Sequence, residues 1–138
     1  MIPNKLGEDG WKERSAGKPS IPIYRHRVYK LEKNIEWKSH PMNHRLMMGL
    51  LLTNNEDGVG FTLIRGHIPS GETVAEHTHD FHDILYPLSG KGKIWVEGVG
   101  DLELTKGVLV NVPPGTSHKL YDVTEDLELL DIFTGPVI

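Results

Sequence analysis

Residues 71 to 90 read Gly71-Glu72-Thr73-Val74-Ala75-Glu76-His77-Thr78-His79-Asp80-Phe81-His82-Asp83-Ile84-Leu85-Tyr86-Pro87-Leu88-Ser89-Gly90. On an extended segment His77 and His79 point to the same side, because side chains alternate along a strand. Their Cα atoms then lie roughly 6.5 Å apart, at a rise near 3.3 Å per residue. Two imidazoles at that separation can converge on one ion. Asp83 follows a short turn-prone link, Asp80-Phe81-His82, and can offer an oxygen ligand from the next strand. A fourth ligand has to come from elsewhere in the chain.

A second stretch supplies the candidate: Gly107-Val108-Leu109-Val110-Asn111-Val112-Pro113-Pro114-Gly115-Thr116-Ser117-His118. A strand, a stiff Pro-Pro-Gly turn and then a histidine bring His118 back across a closed sheet. The two prolines pre-set their φ, and Gly115 allows the positive φ that a tight turn can demand.

Around these stretches the chain runs in short apolar segments of strand length. Tyr24 to Leu31 alternates loosely, and Arg45 to Thr53 is strongly apolar and stops at the turn signal Asn54-Asn55-Glu56-Asp57-Gly58. Val59 to Ile68 places Phe61, Leu63, Arg65 and His67 on one face and Thr62, Ile64 and Ile68 on the other. Further runs are Ile84 to Leu88, Lys93 to Glu97, Leu102 to Leu104, Val108 to Val112, His118 to Tyr121 and Leu127 to Phe133. Gly, Pro, Asp or Thr bound them. Helical periodicity shows only in Val28 to Trp37, where Asn34 and the β-branched Ile35 weaken it. Many short strands with Gly- and Pro-rich turns predict an all-β sandwich or barrel. Residues 1–22, poor in apolar side chains and broken by Pro3, Gly7, Gly10, Gly17, Pro19 and Pro22, read as an extended N-terminal arm. Residues 23–138 read as one barrel domain.

The two quoted stretches resemble the paired motifs of the cupin superfamily. The first motif runs glycine, five residues, His-x-His, three or four residues, glutamate, six residues, glycine; here Gly71, His77, His79, Asp83 and Gly90 stand at those intervals. The second runs glycine, five residues, Pro-x-Gly, two residues, His, three residues, Asn; here Gly107, Pro113, Gly115 and His118 fit, with Asp122 at the asparagine position. Asp83 replaces the usual glutamate and shortens the arm by one methylene. It can still bind, draw the ion towards its strand, or leave a three-histidine site with water in the gap. Asp122 has no ligand role in the pattern.

The resemblance implies a cupin-type double-stranded β-helix, a jelly-roll barrel, with a metal held by His77, His79, Asp83 and His118 in its mouth. It also implies a homodimer. Three imidazoles and a carboxylate suit a divalent transition metal: Fe, Mn, Ni, Cu or Zn. The fold hosts dioxygenases, decarboxylases, isomerases, lyases and non-catalytic binding proteins, so it says little about the reaction. A metal-dependent enzyme acting on a small oxygenated molecule is one expectation, with no catalytic base identified. A binding module for a small anion or sugar in the same pocket is the other. His82 points away from the site by alternation and becomes a ligand only if the register slips by one. Arg65 and His67 either line the cavity or form its solvated side. Tyr86 and Trp95 are core packing first and a substrate-stacking wall second.

Composition sets the limits. The chain has 138 residues, 15 Lys+Arg against 19 Asp+Glu, a formal charge of −4 and 8 histidines. Nucleic-acid binders carry a basic face or stripe, for which this balance gives no reason. The lack of cysteine excludes thiolate nucleophiles, Fe–S clusters, Cys-ligated zinc and disulfides. The N-terminus lacks a basic region followed by an apolar one, and the run Leu46 to Leu52 is far shorter than the roughly 20 residues that span a bilayer. A soluble, cytoplasmic protein with a small-molecule partner is expected.

Overall fold

A computed structural model describes residues 25–138, with the backbone alone at Arg25 and His26. The expected arm, residues 1–22, lies outside the described residues. Single helical turns at Arg25–Val28 and Glu32–Asn34 precede eight strands: β1 (Glu36–His40), β2 (Asn43–Leu52), β3 (Thr62–Ile68), β4 (Val74–His77), β5 (Asp83–Val96), β6 (Gly100–Thr105), β7 (Val110–Val112) and β8 (His118–Phe133). The weakened helical periodicity over Val28 to Trp37 yields the end of the first turn, the turn at Glu32–Asn34 and the start of β1. Cross-strand packing overrides the local pattern there. Trp37 pairs with Gly49, and its ring and the Ile35 side chain fill the space that a Cβ on Gly49 would need. Tyr24 to Leu31, read as strand-like, contains the first helical turn in its described part.

All pairings are antiparallel, in the order β1-β2-β3-β8-β5-β6, with β4 added to β8 and β7 added to β5. The two longest strands belong to both layers of the roll. The end of β8 (Leu127 to Phe133) lies between β3 and the start of β5, whereas its beginning (His118 to Leu120) lies between β4 and the end of β5. This is the jelly-roll expected.

Ser89-Gly90 and the residues after Tyr121 look like strand ends in the sequence. Both strands instead run on through a bend, where the β5–β8 register shifts three times between Pro87 and Lys93. Gly90 enables that bend. Its φ is +90°, and a Cβ there would stand 2.0 Å from the Asp126 carbonyl oxygen. Bulges of this kind sharpen twist and turn a strand from one layer to the next.

Alternation builds the core. β3 buries Thr62, Ile64, Gly66 and Ile68 and turns Leu63, Arg65 and His67 outward. Leu46, Leu85, Leu127 and Leu129 meet Ile94, Leu104, Val112 and Leu120 across the roll. Ile94, Leu104 and Leu127 have no exposed surface, and each contributes about 1.5–3 kcal/mol relative to an exposed side chain. The apolar pattern does not continue to the mouth: there the inward positions are Asp83, His118 and Asp131.

Candidate metal centre

Four side chains from three strands and one loop converge at the mouth. His77 closes β4 and pairs across the sheet with His118, the first residue of β8. Asp83 opens β5 opposite Phe133. His79 lies just past β4 in the connecting loop, not on an extended strand as the spacing predicts. The second quoted stretch fixes that loop: the Gly115 N–H, in the Pro-Pro-Gly turn at φ +72°, donates to the His79 carbonyl at 2.8 Å. The Phe133 ring stands edge-on to the His79 ring at 4.8 Å.

The His77 ring centroid is 4.6 Å from that of His79 and 4.3 Å from that of His118. One ligand atom each from His77, His79, Asp83 and His118 lies within 4.8 Å of all the others. Ligand atoms on a sphere of ~2.1 Å bonds span at most ~4.2 Å, so small side-chain rotations close the set on one ion. His77 Nδ1 lies 2.7 Å from the Ala75 carbonyl, and His118 Nδ1 lies 3.0 Å from that of Thr116. Each nitrogen must donate to its carbonyl, which leaves Nε2 as the metal-facing atom. Metal-ligating histidines are oriented in this way.

Electrostatics fit the same assignment. Burial first, and His118 among the neighbours, push His77 below the ordinary histidine value; burial likewise lowers His79. Both rings are thus neutral near pH 7, the form that binds a metal. Burial alone would raise the Asp83 carboxyl, but hydrogen bonds from Asp131 and His118 and the charges of His118 and His79 hold it below the usual carboxylate range. Asp83 is 3% exposed, and its Oδ2 stands 3.1 Å from His118 Nε2 and 3.5 Å from His79 Nε2. An anionic oxygen in that position calls for a cation.

His82 points the other way. Its Nδ1 is 2.9 Å from Asn111 Oδ1, and its backbone exchanges hydrogen bonds with Thr134. Arg65 stays outside the pocket, where its guanidinium pairs with Glu32 at 2.9 Å and Glu128 at 3.1 Å. His67 borders the pocket with its ring nitrogen held by Glu128. Tyr86 and Trp95 are neither core nor pocket wall: both face outward, Tyr86 exposed and Trp95 with the Lys119 ammonium 5.8 Å from its ring centroid.

Two residues at the site escaped the sequence reading. Asp131 lines the pocket beside Asp83, and burial first, then the Asp83 charge, push its carboxyl well above the usual range, so it keeps its proton and donates to Asp83. The signal was available: Leu127, Leu129, Asp131 and Phe133 share one face of a period-two strand. His40, at the end of β1, also lines the pocket. No motif marks it, and its strand lay next to a segment with helical periodicity.

A cupin-domain family model matches residues 64–133, just over half of the chain. An uncharacterized protein of Streptomyces coelicolor is 30% identical over 69 residues, which cover 50% of this chain and 65% of that relative. The chain thus spans a little under two thirds of the relative's length. Among solved structures, an RmlC-like cupin from Shewanella frigidimarina superposes with a TM-score of 0.66 at 21% identity, covering 79% of this chain and 90% of the other. A predicted oxalate decarboxylase from Thermotoga maritima gives a TM-score of 0.65 at 23% identity, covering 75% and 95%. At these identities the likeness is one of fold.

Proposed function

The chain belongs to the cupin family, and from that premise we propose that His77, His79, Asp83 and His118 hold one divalent transition metal at the floor of a reaction pocket for a small oxygenated molecule. The observation that carries this reading is the convergence of four ligand atoms within 4.8 Å of one another, with the buried Asp83 carboxylate among them and its Oδ2 facing His79 and His118. Nitrogen and oxygen donors of this kind suit Fe(II), Mn(II), Ni(II), Cu(II) or Zn(II). When bound, such an ion supplies Lewis-acid polarisation of a carbonyl or lowers the pKa of a bound water.

The protein's own residues do the remaining work. His77 and His118 are held in their tautomers by backbone carbonyls, and Asp131 holds a proton against Asp83. Leu46, Ile64, Leu85, Leu129 and Phe133 give the pocket apolar walls that exclude water. An ion of this kind with open positions can serve dioxygenase, isomerase, lyase or decarboxylase chemistry. Elemental analysis of protein purified without added metal tests the reading, repeated on His77→Ala and His118→Ala. Near-stoichiometric metal that disappears in both variants is expected; equal metal in a variant moves the site elsewhere. Turnover by the loaded protein separates an enzyme from a module that binds saturably without forming product.

A homodimer in the cytoplasm completes the proposal. The outward side chains Leu63, Ile84, Tyr86, Leu88, Leu130 and Ile132 form an apolar surface across β3, β8 and β5, which a second copy would cover. Light scattering on the purified full chain checks this, and a monomer at micromolar concentration removes it. Among the described residues no helix is long and apolar enough to cross a membrane. Cell fractionation tests the compartment.

A further inference from the structure

We infer that the pocket accepts a small ligand carrying at most one negative charge, and that His40 donates a hydrogen bond to it as an anchor separate from the metal. The inference rests on the metal assignment above and adds size, charge and a third point of recognition.

Size follows from the space inside the mouth, a cavity of about 60 Å³. That holds roughly four to six waters, enough for a ligand of a few non-hydrogen atoms. Charge follows from the lining. Among the described residues no Lys or Arg borders the pocket, and the wall carries Asp131 in addition to Asp83. A divalent ion with one ligating carboxylate leaves a single net positive charge. A monoanion balances it. A dianion would leave a second negative charge buried against Leu46, Ile64 and Phe133 with no counter-ion, which burial disfavours. Arg65 does not relieve it, being held on the outer face of the sheet by Glu32 and Glu128.

The third anchor follows from hydrogen-bond direction. The Met42 backbone N–H donates to His40 Nδ1 at 3.0 Å. Nδ1 is therefore an acceptor, and the ring's proton is on Nε2, at the end of the ring away from its own backbone. The tight β1–β2 turn, with His40 paired to Asn43, holds the ring at the pocket wall. His40 is not among the four converging ligand groups, so its N–H remains for a ligand oxygen.

Oxalate, oxamate and oxamide have nearly one shape and carry two, one and no negative charges. The full chain loaded with Zn(II) is titrated with each by calorimetry, and the same probes are titrated against aqueous Zn(II). The preference of the free ion for oxalate over oxamate is expected to shrink at least about tenfold in the pocket. His40→Ala is expected to weaken oxamate about three- to tenfold at unchanged zinc content, and His40→Gln, which keeps a donor, to recover most of the loss. An oxalate preference as large as that of the aqueous ion overturns the charge limit. An unchanged oxamate affinity in His40→Ala overturns the anchor. A chain that binds no zinc overturns the metal assignment and this inference together, and zinc analysis of the same samples distinguishes that result from the other two.

Discussion

His118 Nε2 stands 3.1 Å from Asp83 Oδ2, while Nδ1 of the same ring stands 3.0 Å from the Thr116 carbonyl oxygen. Both neighbours are acceptors, so the ring needs a cation or a proton on each nitrogen. Burial opposes the imidazolium, but the Asp83 hydrogen bond, the Thr116 carbonyl and the Asp83 charge outweigh it and raise the His118 pKa above 6.5. The metal ion proposed above takes the place of the Nε2 proton. Protonation and metal binding at this ring exclude each other.

Metal affinity should therefore climb with pH through a range above 6.5, as His118 gives up its proton. His77 and His79 lie below their ordinary value, chiefly through burial, and are already neutral there. One proton released per ion bound is the expected stoichiometry. Competition titrations with a chromophoric chelator at pH 6 to 8.5 check it, corrected for the chelator's own protonation. A flat profile would mean that no proton is displaced from His118.

Stability of the metal-free protein should run the opposite way. A folded-state pKa raised above the unfolded one means that the native state holds the extra proton. The contribution from His118 is thus fully present below about pH 6.5 and is lost as pH rises through its folded value. Asp131, also raised, acts in the same direction from the ordinary carboxylate range upward. His40, His77 and His79 are lowered, so their contribution rises with pH until the unfolded histidines have lost their protons, about one unit above 6.5, and adds no slope beyond that. Thermal melts between about pH 7.5 and 8.5, where the unfolded histidines are neutral, should show a falling Tm for the metal-free protein. The metal's stabilising increment should grow over the same range, because tighter binding to the native state adds to stability. Parallel curves with and without metal would contradict the proton–metal exchange.

Asp131→Asn isolates the carboxyl pair. Asparagine is neutral at every pH, and its amide can donate to Asp83, so the metal-free variant should match or exceed the parent in stability. The difference should widen with pH, reaching the order of 1 kcal/mol, as expected when a buried carboxyl that must either hold its proton or charge beside Asp83 is replaced by a neutral amide. Urea titrations at pH 6 and 8.5 with equal m values give the comparison. A variant that loses stability equally at both would show that Asp131 acts by shape and not by charge.

Much of this was legible in the chain because the two motifs combine ligands with left-handed backbone positions. Gly71, Gly90, Gly107 and Gly115 all have positive φ, and so does Asp122, at +49°, where the cupin pattern has asparagine. Asparagine and aspartate are the non-glycine residues that tolerate that region best, which explains the substitution without a ligand role. The inward placement of Asp83 and the outward turn of His82 also followed from alternation. Continuity was harder to read: β5 and β8 pass through residues that look like strand ends, because a bend and a turn use the same glycine and aspartate. His40 and β1 were hidden for another reason, since their conformation is set by pairing with β2 and not by local preference.

That distinction between bend and turn can be measured at two glycines. Gly90 and Gly98 both have positive φ, but a Cβ on Gly98 meets nothing within 4 Å, whereas on Gly90 it would stand 2.0 Å from the Asp126 carbonyl oxygen and 2.7 Å from Leu127 Cα. Gly98→Ala should cost about 1–2 kcal/mol, the strain of a left-handed alanine. Gly90→Ala should add the cost of moving β8 backbone away from β5 and exceed it by about 2 kcal/mol or more. Chemical denaturation of both variants, with unchanged m values as the sign of an intact fold, reads the difference. Because the β5–β8 bend carries both Asp83 and His118 into one mouth, Gly90→Ala should also weaken metal binding, and Gly98→Ala should leave it unchanged. Equal destabilisation by the two substitutions would place Gly90 among ordinary turn glycines and remove the bend as the device that joins the two halves of the site.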